Sequence, residues 1–379
     1  ESDLIFSGFV AMKDPPREEV KESIRRCKIA GIKVKMITGD NKETALAIAR
    51  EIGLKGDLME GAELDKYTDE ELTKIIPSVS IFARVNPEHK IRIVRALKSL
   101  GEIVTMTGDG VNDAPALKEA NIGVAMGKNG TDVSRSVADL ILKDDKFSTI
   151  VYAVEEGRTI FKNIRKFVTY QLSCNFGEIS IIFFGVLLSP LLGWETPLLL
   201  ALQILFMNLV TDNLPAITLG LNSASKDSML EKPRKNGDIL NKKLMSIIAI
   251  VGTFKALLVL LSYYITFNIF QEGVVYSRTV ALATLIFVEV ASAFEFRSFR
   301  KGVLNRSPFK NIYLFFASTI SLVATFIIIY TPANKIFQTV PLHVNDLATV
   351  LGLSLFFLVV VDLFKWANAK FELVDLENI

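Results

Sequence analysis

The stretch Thr107-Gly108-Asp109-Gly110-Val111-Asn112-Asp113-Ala114-Pro115-Ala116-Leu117 decides how this chain is read. It follows an apolar run, Ile103-Val104-Thr105-Met106, that reads as a buried parallel strand ending in a glycine-hinged turn. Such a turn places Asp109, Asn112 and Asp113 at the carboxyl end of a sheet, where open α/β folds bind their ligands. Two carboxylates and a carboxamide set among small residues suit a hard cation such as Mg²⁺ beside a phosphoryl group. An isolated G-D-G would be an ordinary turn; this motif is longer, and other pieces surround it.

Three such pieces lie upstream: Asp14-Pro15-Pro16-Arg17, Met36-Ile37-Thr38-Gly39-Asp40, and Phe82-Ala83-Arg84-Val85-Asn86-Pro87-Glu88-His89-Lys90. The four together resemble, in order and spacing, the signature segments of P-type cation-transporting ATPases, and in particular the calcium-pump-like subgroup of the sarcoplasmic-reticulum type. The resemblance runs from about residue 3 to the end of the chain. It implies a haloacid-dehalogenase-like phosphorylation domain, with ATP as substrate of the full-length pump and Mg²⁺ as cofactor. It also implies roles for single residues. Thr38, Gly39 and Asp40 form the strand end that holds phosphate oxygens, and Lys90 offsets charge on the transferred group. Asp109 binds Mg²⁺, Asn112 bonds the phosphate, and Asp113 braces the loop. The residue types suit these roles, because phosphoryl transfer is mostly positioning and charge neutralisation. His89 reads as structural.

The residues before about Asn163 are charge-rich, with short apolar runs alternating with amphipathic stretches. Helical periodicity covers 17–30, 41–52 and 87–100, with Pro87 opening the last helix and Asp40 with Glu43 as a capping pair for the second. Strands are expected at 33–37, 81–83, 103–106, 122–125 and 139–142, with 58–78 undefined. This alternation argues for a doubly wound α/β sheet.

The remainder is different. Half the chain is apolar and the mean hydropathy is positive, which is unusual for a soluble protein. Six stretches, roughly 164–187, 198–219, 245–270, 277–296, 310–331 and 346–366, are long enough to cross about 30 Å of hydrocarbon. Basic residues cluster before the first stretch (Arg158, Lys162, Arg165, Lys166) and between the second and third (Lys232, Arg234, Lys235, Lys242, Lys243). They cluster again between the fourth and fifth (Arg297, Arg300, Lys301, Arg306, Lys310) and after the last (Lys365, Lys370). Both ends of the six-helix region, and the phosphorylation domain, are therefore expected on the cytoplasmic side. The organisation expected is residues 1–157 as the C-terminal portion of a phosphorylation domain, 158–371 as a six-helix transport domain in membrane lipid, and 372–379 as a short acidic tail. Cys27 and Cys174 are the only cysteines, one in each part, and give no disulfide framework or zinc spacing. The net charge of +2 gives no sign of a nucleic-acid partner.

Ionisable groups inside a span cost roughly 3 kcal/mol or more and mark function by default. Asn175 and Glu178 are spaced to share one helical face, as are Asn208, Thr211 and Asp212, and Pro215 frees backbone carbonyls nearby. Oxygen ligands from two helices suit Ca²⁺ as the transported cation. The segments 173–178 and 208–215 resemble the fifth and sixth spans of calcium pumps. A further family ligand, near the end of the eighth span, falls on Phe299, with Glu289 and Glu295 out of register; this departure weighs against a second Ca²⁺ site and leaves one or two ions per cycle open. Glu289 reads equally as a structural carboxylate or as part of the ion path. A pump of Na⁺, K⁺ or H⁺, and a non-catalytic ion-binding membrane subunit, are the alternatives.

The family's D-K-T-G nucleophile, its T-G-E segment, its nucleotide-binding domain and its first four spans are not found in this sequence. The expectation is the C-terminal part of a pump, truncated or made as a separate subunit, which works with the missing N-terminal part and by itself forms no phosphoenzyme. The loop 222–240 is expected to link the two regions, with Asp227 as a contact. The segment 157–171 is expected to enter the first span without a break and to transmit motion between the phosphate and ion sites.

Overall fold

The structure, a computed structural model, describes residues 5, 7–8, 15–223, 228–234, 237–303 and 307–371. Asp14, Asp227, Lys235, Arg306 and residues 372–379, on which parts of the sequence reading fall, lie outside the described residues. The chain divides into two compact units, Glu1–Gly157 with Lys226–Pro233, and Arg158–Ser225 with Arg234–Ile379.

In the first unit the order is α1 (Glu18–Ile29), β1 (Met36–Ile37), α2 (Lys42–Glu51), β2 (Asp57–Glu60), α3 (Gly61–Leu64), α4 (Asp69–Ile75), β3 (Val79–Ala83), α5 (Pro87–Ser99), β4 (Thr105–Gly108), α6 (Ala114–Glu119), β5 (Ile122–Met126), α7 (Asp132–Val137) and β6 (Leu140–Leu142). All strand pairings are parallel. The six strands form two three-stranded sheets, β1-β3-β2 and β4-β5-β6, rather than the single sheet that the alternation suggested. Among the described residues, β1 and β4 each have one strand neighbour. The strand expected at 33–37 shortens to two residues, and the undefined 58–78 resolves into β2, α3 and α4.

β3 shows why helices cover both faces. Ile81 packs with Ile24, Ala45 and Ala49 of α1 and α2, while its neighbour Phe82 points the other way onto Leu72 and Ile93 of α4 and α5. A parallel strand buried on both sides needs this continuous apolar run. Helix ends follow local chemistry. Asn41, not Asp40, caps α2, its side chain accepting the Thr44 N–H at 2.8 Å. Asp40 instead accepts a hydrogen bond from the Thr38 hydroxyl at 2.9 Å. α5 has Pro at its first position, where the missing N–H costs nothing. Its cap is reciprocal: Asn86 Oδ1 accepts the His89 N–H at 2.8 Å, and His89 Nδ1 accepts the Asn86 N–H at 3.2 Å. His89 Nε2 then meets Asp65 at 2.7 Å, so the histidine is a buried structural tie. Met229, from the loop between the second and third membrane helices, is buried with Cys27, Ala30 and Val151 of this same unit.

Asp145 closes the second sheet. At φ 55° its carboxylate accepts N–H bonds from Gly127 at 2.7 Å, Lys128 at 3.0 Å and Asn129 at 2.9 Å. These backbone donors, that of Lys128 first, hold its carboxyl below the ordinary range. A carboxyl whose pKa is lowered by folding adds stability that is present above its unfolded value, about 4, and is lost as pH falls through the folded value. We therefore expect Asp145→Asn to lower the melting temperature at pH 7 and to flatten its decline below about pH 4, as read by thermal unfolding between pH 7 and pH 3.

The second unit contains the membrane helices. α8 runs unbroken from Phe147 to Leu192 with Pro190 inside it. It is followed by α9 (Ala201–Phe206), a π-helical turn (Met207–Asp212) and α10 (Asn213–Leu219), then α11 (Lys242–Tyr264) with a second π turn (Ile265–Ile269). α12 (Val274–Glu295), α13 (Ile312–Tyr330), α14 (Asn334–Phe337) and α15 (Val344–Phe371) complete it. Among the described residues, six helices, with α9 and α10 acting as one, are long and apolar enough to cross a bilayer. The chain is thus a multi-pass integral membrane protein. α12 is the innermost of them: 72% of its most apolar stretch is buried, against 17% for α15. Ile179, Phe183, Ile250, Phe316 and Leu355 are exposed along these helices, as surfaces that face hydrocarbon should be.

Candidate functional site

In the first unit, Thr38 directly follows β1 and Asp109 directly follows β4. Met36, Ile37 and Thr107 line one cavity of about 220 Å³ between these strands. Thr38 is pinned by its backbone: its N–H donates to Phe82 O at 2.9 Å and its carbonyl accepts from Val85 N at 3.2 Å. Lys90, from the first turn of α5, places Nζ 2.5 Å from Asp113 Oδ1. The other oxygen of Asp113 accepts the N–H groups of Asp109 and Gly110, both at 3.2 Å. One buried carboxylate thus ties the lysine to the turn. Gly108 makes this possible, because a Cβ there would lie 2.4 Å from Asp113 Cβ. The Asp109 carbonyl is held by Thr131 N at 2.8 Å and Ser134 Oγ at 3.0 Å. The Asp109 and Asn112 side chains stay exposed, as do Gly39 and Asp40. The result is a rigid turn with a carboxylate and a carboxamide facing outward, beside a half-buried cation.

The second unit holds a different cluster. α8 contributes Asn175 and Glu178, and the π turn contributes Asn208, Thr211 and Asp212. Asn208 Nδ2 donates to Glu178 at 3.1 and 3.3 Å, so these residues do meet across the two helices. The Thr211 hydroxyl donates to Met207 O at 3.1 Å. The sequence spacing anticipated a regular helix here; the π turn widens the backbone instead, a distortion that recurs at functional sites. Pro215 cannot donate to the preceding turn. The carbonyls of Val210 and Thr211 are taken by the Ser321 hydroxyl of α13, at 3.4 and 3.3 Å.

Two further residues enter, one that the sequence left open between a structural and an ion-path role and one that it did not single out. Glu289 of α12 is fully buried, and its carboxylate, that of Asp212 and the Cys174 sulfur all lie within 4.8 Å of one another. Glu295, in contrast, is paired with Lys365 of α15. Phe299 lies beyond α12 and packs edge-on against Phe296. The carboxylate of this helix that reaches Asp212 is therefore Glu289. The second arrival is Lys255, in the middle of α11 and fully buried, with Nζ 3.3 Å from Ser173 Oγ and 3.2 Å from Cys174 Sγ. Glycines bring its helix in: a Cβ on Gly252 would lie 2.9 Å from Ser173 O. Small residues permit such close approach of membrane helices.

Among the described residues, Asn175 Oδ1, Asp212 Oδ2 and both Glu289 oxygens are buried without a hydrogen-bond donor. Two carboxylates that face each other in low dielectric repel strongly, and buried polar atoms without partners are rare. A cation bound among them would answer both problems. Apart from Cys174, whose sulfur is engaged by Lys255, the donors are oxygen atoms, which suits a hard cation.

A haloacid dehalogenase-like hydrolase family model matches residues 5–121, and the model described as "Cation transporting ATPase, C-terminus" matches residues 196–367. The curated protein "Calcium-transporting ATPase 1" of Bacillus cereus is 45% identical over 387 residues, covering 97% of this chain and 43% of that protein. The chain belongs to the P-type cation-transporting ATPase family. Two further members of that family extend the comparison. "Calcium-transporting ATPase" of Bacillus subtilis is 43% identical over 360 residues, covering 93% of this chain and 40% of that protein. "Calcium-transporting ATPase 1" of Saccharomyces cerevisiae is 38% identical over 380 residues, covering 98% and 39%. The chain spans about two fifths of the length of these ATPases.

Proposed function

We propose that this chain supplies the ion path and part of the phosphorylation site of an ATP-driven pump whose transported cation is Ca²⁺. The observation that carries this is the set of donor-less buried oxygens of Asn175, Asp212 and Glu289 between membrane helices of a P-type ATPase family member. Ca²⁺ takes six to eight oxygens in a flexible cage, and Asn175, Glu178, Asn208, Thr211, Asp212 and Glu289 offer such a set. The relatives described above carry calcium transport in their names. On this reading residues 1–157 are the C-terminal portion of a phosphorylation domain on the cytoplasmic side, and 158–371 the transport domain, with the C-terminus also cytoplasmic.

At the phosphorylation site, Thr38 and Gly39 bind and orient phosphate oxygens, with Asp40 held to the Thr38 hydroxyl. Lys90 offsets their charge, Asn112 donates to them, and Asp113 keeps both lysine and turn in place. The exposed Asp109 carboxylate, on a backbone fixed by Thr131 and Ser134, fits a Mg²⁺ ligand. Bound there, the ion would neutralise charge on the phosphoryl group as it transfers from ATP. The phosphorylated Asp is supplied from outside these 379 residues, since the sequence has no D-K-T-G. The open edges of β1 and β4 and the cavity between them are where a strand that carries it would add. These residues by themselves are expected to form no phosphoenzyme.

The test is phosphorylation of the full-length protein by ATP at controlled free ion concentrations. Micromolar Ca²⁺ should support it, while Na⁺, K⁺, Zn²⁺ or a change in pH should not replace Ca²⁺. A requirement for Na⁺, K⁺ or H⁺ in place of Ca²⁺ would reassign the cargo, and no phosphorylation under any ion condition would leave only an ion-binding membrane subunit.

A further inference from the structure

Lys255 has no role in the reading above. It lies mid-span in α11, where a charged group costs roughly 3 kcal/mol or more unless it is paired, and it is fully buried. Its ammonium has three donors. Two meet the Ser173 hydroxyl and the Cys174 sulfur, and the face of Tyr170 lies 5.3 Å away. These partners are uncharged acceptors and a ring, so among the described residues no anionic group in hydrogen-bond contact balances the positive charge. Tyr170 in turn donates to the Glu289 carbonyl at 3.4 Å. Cys174, which Lys255 touches, is the sulfur that lies within 4.8 Å of the Asp212 and Glu289 carboxylates.

The charges close. Glu178, Asp212 and Glu289, when ionised, carry three negative charges, and one divalent cation with one ammonium balances them. A second divalent ion would leave a buried excess of positive charge. We propose that Lys255 is a tethered counter-cation of the ion site: it stands in for a second transported ion, limits the site to one divalent cation, and weakens the hold on that cation by repulsion. This rests on the reading of Asp212 and its neighbours as the Ca²⁺ site. Lys255 is here a specificity-determining residue that acts through charge and need not touch the transported ion.

The experiment is equilibrium binding of radioactive Ca²⁺ to the full-length protein in detergent, normalised to the number of sites that can be phosphorylated. The wild type should bind one Ca²⁺ per site with a Hill coefficient of one. Lys255→Met keeps the length of the side chain and removes its charge, and should bind Ca²⁺ about tenfold more tightly or better, since one buried repulsion is gone. Lys255→Arg should stay near wild type. Unchanged or weaker Ca²⁺ binding by a folded Lys255→Met would overturn the proposal, as would two ions per site in the wild type. That second measurement decides even if Lys255→Met fails to fold. Asp212→Asn serves as the control that separates the two readings. If it leaves Ca²⁺ binding intact, the site itself is misassigned; if it abolishes binding while Lys255→Met changes nothing, only the counter-cation fails.

Discussion

Asp212→Asn should abolish Ca²⁺-dependent phosphorylation by ATP while leaving the full-length protein folded. Asp212 is fully buried at the end of the π turn. One of its oxygens has the Thr211 hydroxyl at 3.4 Å, and the other has no donor among the described residues. The amide has nearly the same shape, so packing is preserved. It lacks the charge, and its NH₂ group faces the cation site with donors where acceptors are required. Loss of one of three carboxylates from a low-dielectric site should weaken Ca²⁺ binding by about a hundredfold or more. Stability should move the other way or not at all, because the repulsion between Asp212 and the adjacent Glu289 is relieved. The paired measurement is phosphoenzyme level against free Ca²⁺, and thermal midpoint without Ca²⁺. Normal ion dependence would sink the assignment, and a large drop in midpoint would show that Asp212 holds helices together instead.

The parts of this architecture legible in the sequence are those in which neighbouring residues do the specifying. The turn at 107–117 is one, since Gly108, Asp109 and Asp113 interact within a few positions. The membrane helices are another, because length and apolarity suffice to define them. The resemblance to P-type ATPases, carried by four local motifs, agrees with the family match. What was left open, as for Glu289, or missed, as for Lys255, depends on contacts between distant elements. Glu289 stands more than a hundred positions from Cys174, and counting along α12 to Phe299 looked for the carboxylate beyond the helix end. Only packing of α12 at the centre of the bundle brings Glu289 to Asp212. Lys255 left a readable signal, a lysine in the middle of an apolar span, but its partner Ser173 is set by the Gly252 approach of α11 to α8. The choice of Asn41 over Asp40 as a helix cap was a matter of one residue. Both can cap, and the Thr38 hydroxyl decided it by engaging Asp40.

In the first unit the largest effect is expected from Lys90→Met: phosphoenzyme formation by the full-length protein should slow by about a hundred- to a thousandfold. The ammonium sits 2.5 Å from Asp113, and the side chains are 17% and 10% exposed, so the pair is largely shielded from water. Two explanations of a slow variant compete. Lys90 neutralises the transferred phosphoryl group, or it merely neutralises Asp113, which positions Asp109 and Gly110. Lys90→Met strands a buried carboxylate, which costs roughly 3 kcal/mol, so stability falls under either explanation. Asp113→Asn in the same chain removes the stranded charge, and its amide oxygen can still accept the two N–H bonds of the turn. The double variant should therefore recover most of the lost stability. If Lys90 acts on phosphate, the double variant stays as slow as Lys90→Met, and the two substitutions couple in stability but not in rate. If the rate recovers along with the melting temperature, Lys90 is a positioning residue, and the charge on the phosphoryl group must be met by something else.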